Sequence, residues 1–106
     1  MRKIETNMCE AIRFCRNWSS GNTMVTTIHG DSLVHLHGNH IATINRNGVT
    51  LFDGGWQSNT TKSRLNAILA EFVKPSVRVF QKDFVWYVHD EDGQDHFFQN
   101  EYNFSS

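Results

Sequence analysis

The sequence predicts an α+β domain: an N-terminal helix, a four-stranded antiparallel meander, a central helix and a C-terminal β-hairpin. Three observations predict it. Short alternating runs between residues 23 and 52 are separated by Gly30-Asp31, Gly38-Asn39 and Asn47-Gly48, turns too tight for anything but antiparallel neighbours. Leu65, Ile68, Leu69 and Phe72 repeat at i, i+3, i+4 and i+7, one apolar stripe at helical period. Runs of strands lie between the helices rather than alternating with them, the α+β order.

Taken in order, Ile4, Met8, Ala11, Ile12 and Cys15 recur at helical spacing and predict an amphipathic helix over residues 3–16, ended by Trp18 and the Ser19-Ser20-Gly21-Asn22 run. Thr23–His29, Ser32–His37, His40–Asn45 and Val49–Phe52 are the four meander strands. In the second, Leu33, His35 and His37 share one face; in the third, Ile41 and Thr43 oppose Ala42 and Ile44. Asp53-Gly54-Gly55 is a turn, and Ser58, Asn59, Thr60 and Thr61 are successive candidate N-caps, with Thr60 favoured to within one or two residues. The helix then runs over 60–74, with Lys62, Arg64, Asn66 and Glu71 off the stripe and toward water, and Pro75 stops it. Val77–Phe80 and Phe84–Val88 flank Gln81-Lys82-Asp83 as a hairpin; His96-Phe97-Phe98 offers a last short strand, and the terminal Asn-Phe-Ser-Ser reads as frayed.

A chain of 106 residues is expected to form one domain, residues 1–106. A hydrophobic content of 39%, with eight Phe and three Trp, excludes disorder. A formal charge of −1 supplies no global field toward nucleic acid or an acidic membrane. No apolar run approaches the roughly 20 residues that span a bilayer, and the first ten residues lack a signal-peptide core, so a cytosolic address without membrane contact is the expectation. Cys9 and Cys15, six apart in one helix, are read as reduced thiols.

Candidate chemistry is sparse. His35, His37 and His40 could converge on zinc, and HLHGNH is close to the histidine motif of metallo-hydrolases, but Asn39 stands where those sites use aspartate and no further ligand cluster accompanies it. The three are read as solvated histidines, with no metal and no cofactor expected. Cys9 and Cys15 lack an activating base and read as small core residues. Asp90, Glu91, Asp92 and Asp95 lack the pattern of a calcium loop and read as a solvated turn. No phosphate loop is present.

What remains is a surface. Trp56, Thr60, Thr61, Lys62 and Arg64 gather at a helix N-terminus, where free N–H groups, hydroxyls and two cations suit a phosphate or carboxylate. The bland alternative is that Trp56 staples the helix to the sheet and the polar residues only cap it.

The strings LHGNHIA (36–42), GWQSNTTKSRLNAIL (55–69) and VFQKDFVWYV (79–88) carry a resemblance. In these stretches the chain resembles a family of small uncharacterised bacteriophage proteins that read LHGN-x-IA, then GW-x-T-x-TTK-x-RLN-x-L, then a closing hairpin with a tryptophan. Ser58-Asn59 departs from the Thr-x of that pattern. The resemblance implies a phage-encoded accessory protein acting in the host cytoplasm and carries over no catalytic residue. The expectation is therefore a non-enzymatic protein that binds a host macromolecule, a protein such as a host enzyme or defence component, with a nucleic-acid-binding module using residues 56–64 as the alternative.

Overall fold

A computed structural model describes residues 1–105. Its elements, in order, are α1 (Lys3–Arg13), β1 (Trp18–Ser20), β2 (Thr23–Ile28), β3 (Asp31–Leu36), β4 (Asn39–Asn45), β5 (Gly48–Phe52), α2 (Asn59–Phe72), β6 (Arg78–Lys82), β7 (Val85–His89), β8 (Asp95–Phe97) and β9 (Glu101–Ser105). One sheet has the order β1-β2-β3-β4-β5-β9 and a second the order β6-β7-β8, with antiparallel pairing throughout the described residues. The fold is α+β, but its strand arrangement is larger than the four-stranded meander plus hairpin that the sequence predicts.

Both additions come from segments of poor β composition. Ser19-Ser20-Gly21-Asn22 divides: the serines pair with Met24 and Thr23, and only Gly21-Asn22 forms the turn, with Gly21 at φ 56°. The meander therefore has five strands. The C-terminal segment is not frayed. It pairs with β5, Phe104 opposite Val49 and Tyr102 opposite Leu51, and Phe104 is buried. The third strand of the second sheet covers 95–97, and Phe98, just beyond it, is buried against Trp86.

α1 stops at Arg13, three residues before the predicted end. The Arg16 amide donates to Ala11 O (2.9 Å) and the Cys15 amide to Ile12 O (3.2 Å), with Cys15 at φ 53°. This is a Schellman C-cap with cysteine in the place usually held by glycine. Cys15 is thus exposed rather than in the core, whereas Cys9 is buried; burial pushes the Cys9 thiol up to about 11.

The helices pack against the six-stranded sheet and against each other, and α2 also packs on β6. Val25, Val34, Leu36, Ile44, Leu51 and Phe104 line the covered face. Strict alternation fails in β4. Val34 pairs with Ala42 and His35 with His40, so Ile41 is an extra, bulged residue. Ile41 and Ala42 are both buried, and His40 falls on the opposite, open face.

α2 is capped by Ser58, whose Oγ accepts the Thr61 amide at 3.1 Å, two residues before the favoured Thr60. Leu65, Ile68 and Leu69 are fully buried; Phe72 is only half-buried, beneath the Arg13 guanidinium. Two of the residues expected in water are not there. The Asn66 amide donates to Val79 O (3.0 Å) and accepts Val79 N–H (2.7 Å), holding the outer edge of β6 as a neighbouring strand would. Arg64 is only 3% exposed. Its Nη1 donates to Glu5 Oε2 (2.8 Å), Nε to Thr23 Oγ1 (3.0 Å) and Nη2 to Asn22 Oδ1 (3.3 Å). It joins α2 to α1 and to the β1–β2 turn.

Candidate functional site

The β4–β5 pairing sets the start of β4 beside the end of β5, so the His37-Gly38 turn and the Asp53-Gly54-Gly55 loop lie at one end of the sheet. Asp53 builds that loop. Its Oδ1 accepts the Gly55 amide (2.9 Å), and its Oδ2 accepts the Asn100 amide (3.1 Å) and the Gln57 side chain (3.3 Å). Gly54 and Gly55 follow at φ 71° and 75°. A Cβ on Gly54 would sit 3.2 Å from Ile41 Cγ2, so the loop lies close against β4.

The result is that Trp56 is turned out of the fold, 64% exposed. It does not staple the helix to the sheet. Its ring stacks on His37, centroids 6.2 Å apart and 24° between planes. Between this pair, the helix start and the sheet end lies a cavity of about 130 Å³, with Leu36 and Ile41 supplying apolar surface and His37, Trp56, Ser58 and Thr60 supplying ring and hydroxyl. An engineered cavity of roughly 150 Å³ in another protein takes a benzene ring, so this volume suits one side chain of a partner.

Of the five residues singled out in the sequence, the structure brings three to this cavity: Trp56, Thr60 and Thr61. Thr61 is buried, its hydroxyl paired with Ser58 Oγ (2.9 Å) and 3.3 Å from Trp56 O. Lys62 turns away: its Nζ donates to Gln81 Oε1 (3.1 Å) and sits 5.7 Å from the Trp86 ring centre. Arg64 is inside, held by Glu5. The two cations expected to grip an anion are thus both engaged elsewhere. Sequence reasoning weighed His37 only with His35 and His40, as a metal ligand, and did not place it beside Trp56. The predicted meander already placed the β3–β4 turn beside the loop after β5, and that adjacency was the available signal.

The histidines separate. His37 lies beyond the end of β3 at φ 52° and faces Trp56. His35 and His40 stay on the open face, centroids 5.3 Å apart, with His40 also 4.5 Å from Phe52. His40 Nε2 lies 3.0 Å from Ala42 O and 2.8 Å from Thr43 Oγ1. The expected shared face of His35 and His37 fails because the strand ends between them. Among the described residues no group of three His, Cys, Asp or Glu is arranged to hold a metal ion. The acidic turn is internally bonded: Asp90 Oδ1 accepts the Gln94 (2.8 Å) and Asp92 (2.9 Å) amides and Oδ2 accepts His96 Nε2 (2.5 Å). The Gln94 amide, then His96, hold the Asp90 carboxyl below its usual value.

Burial holds the His40 pKa below the ordinary 6.5. Between that folded value and 6.5 the unfolded chain binds more protons, so stability rises with pH through the window. The contribution is full above about 6.5 and is lost as pH falls through the folded value. Urea midpoints measured from pH 8 down to pH 5 should therefore fall more steeply for the wild type than for His40→Gln. Parallel profiles would remove His40 as a source of acid sensitivity.

A family model described as Kyanoviridae Gp96 protein matches residues 1–105. No curated protein and no solved structure matches the chain. No helix among the described residues is long and apolar enough to cross a membrane.

Proposed function

Since the chain belongs to the Kyanoviridae Gp96 family of bacteriophage proteins, we propose that it is a phage-encoded accessory protein that acts by binding a host macromolecule in the host cytoplasm, not by catalysing a reaction. The partner is a host protein, such as an enzyme or a defence component that the phage gains by inhibiting. The observation that carries this reading is the exposed Trp56, stacked on His37 beside a cavity of side-chain size. Tryptophan is enriched among residues that dominate binding energy, and a pocket next to it supplies a reciprocal anchor. The Asp53 carboxylate is spent on two donors of its own loop and on the Asn100 amide, which supports a binding role over acid–base chemistry.

A nucleic-acid-binding module is the second reading, favoured by Trp56 as a stacking face at a helix start. Against it stand the engagement of Lys62 and Arg64 and the formal charge of −1. Affinity capture from host lysate with wild type and Trp56→Ala tests both. The capture of one host protein by the wild type, weakened about tenfold or more by the substitution, roughly 1.4 kcal/mol, is the expected result. Equal capture by both proteins counts against the site. Capture that collapses between low and moderate salt and follows added DNA or RNA moves the reading to nucleic acid.

A further inference from the structure

The second sheet buries Val79, Trp86, Val88 and Phe98 on its inner side. Its outer side, where Arg78, Lys82, Asp95 and Phe97 are exposed, carries two ordered cross-strand rows. One is Phe80–Tyr87–Phe97, the other Arg78–His89–Asp95. In the first, Phe80 and Tyr87 stack at 5.5 Å and Phe97 meets Tyr87 edge-on at 6.3 Å; Phe97 is 61% exposed. At the β6–β7 turn stands Phe84, 92% exposed. Asp83 and Phe84 have φ of 52° and 67°, the left-handed pair of a two-residue hairpin turn that ordinarily takes glycine second. A phenylalanine there is both strained and in water, which folding alone does not explain.

The charges run in one direction across the face: Arg78 and Lys82 on β6, Asp95 on β8, with His89 Nδ1 2.7 Å from Asp95 Oδ1. Such a face is complementary to itself. A twofold axis along β7 lays β6 of one copy over β8 of another. Arg78 then meets Asp95 of the second copy at both ends, Phe80 meets Phe97 twice, and Tyr87 meets itself, the isologous pattern of a closed dimer. We infer that this outer face is the contact between two copies of the chain. Aromatic rings with cations also suit a single nucleic-acid strand, but Asp83 and Asp95 balance Lys82 and Arg78, so charge favours the second copy. Two strands of five residues and one of three span at most roughly 17 by 14 Å, less than the roughly 800 Å² per partner of a standard interface, so the dimer is weak and dissociates on dilution. The inference is independent of the Trp56 site.

Analytical ultracentrifugation of the whole chain from micromolar to millimolar concentration tests it. The wild type is expected to dimerise reversibly, while Phe97→Ser, Arg78→Asp and Asp95→Arg each remain monomeric with unchanged far-ultraviolet circular dichroism. Mixing Arg78→Asp with Asp95→Arg restores a dimer, because both junctions then pair opposite charges. A wild type that stays monomeric at millimolar concentration overturns the inference. So does a dimer that survives Phe97→Ser and Arg78→Asp, or a monomeric wild type whose binding to a single-stranded oligonucleotide is lost in Phe97→Ser.

Discussion

Arg64→Ala is expected to destabilise the protein by about 3–5 kcal/mol, the cost of leaving the other member of a buried pair without its partner. Glu5, 3% exposed, would keep only Ser63 Oγ at 2.5 Å, Thr23 Oγ1 would lose its guanidinium donor, and Asn22 Oδ1 would keep only the Thr23 hydroxyl, 2.8 Å away. Lysine is a poor substitute, because three separate partners are met by the planar fork of one guanidinium. The double variant Glu5→Leu/Arg64→Leu strands no charge and should be less destabilised than Arg64→Ala. Urea denaturation of the four-member set, wild type included, checks this. A loss below about 1 kcal/mol for Arg64→Ala, the scale of an exposed residue, would mean that the pair does not form.

Leu69→Ala is expected to cost about 2–5 kcal/mol. Leu69 is fully buried with Leu65 and Ile68 on the face of α2 that packs toward the sheets, and its neighbours are held by β-strands that cannot follow a shrinking side chain. Phe72, at the half-buried end of the stripe, should cost less when truncated to alanine than a fully buried phenylalanine. A thermal midpoint unchanged by Leu69→Ala would misplace the helix.

The contrast between these two positions shows what the sequence makes legible. The apolar stripe is read from periodicity alone, because burial of leucine and isoleucine needs no partner beyond other apolar atoms. Arg64 lies four residues before Ile68 and so borders the stripe, but a charged side chain is assigned to water unless its counter-ion is known. That counter-ion, Glu5, is 59 residues away, and no local pattern connects them. Asn66 escapes for the same reason, its partner Val79 being supplied by tertiary packing. β9 was hidden by Asn and Ser, although Tyr102 and Phe104 do alternate, and it exists because β5 would otherwise be an unpaired edge. The β4 bulge at Ile41 could not be read from a period of two, yet it is what sends His40 to the open face.

At the candidate site, the turn glycines, the helix start and Trp56 were legible because each answers to local rules. The direction of Trp56 was not. It follows from Asp53 fastening the loop to the Asn100 amide, 47 residues on, in a conformation that carries Trp56 out to the surface. His37 joins it because the β3–β4 and β5–α2 connections share one end of the sheet.

The most direct test of binding at Trp56 is a titration of isotope-labelled protein with the captured host partner, followed by two-dimensional NMR. The prediction is that the Trp56 indole N–H and the backbone amides of His37 and Thr60 shift or broaden first, with Phe84 and Phe97 unaffected. An unchanged Trp56 indole at saturating partner, with perturbations confined to the outer face of the second sheet, would contradict it.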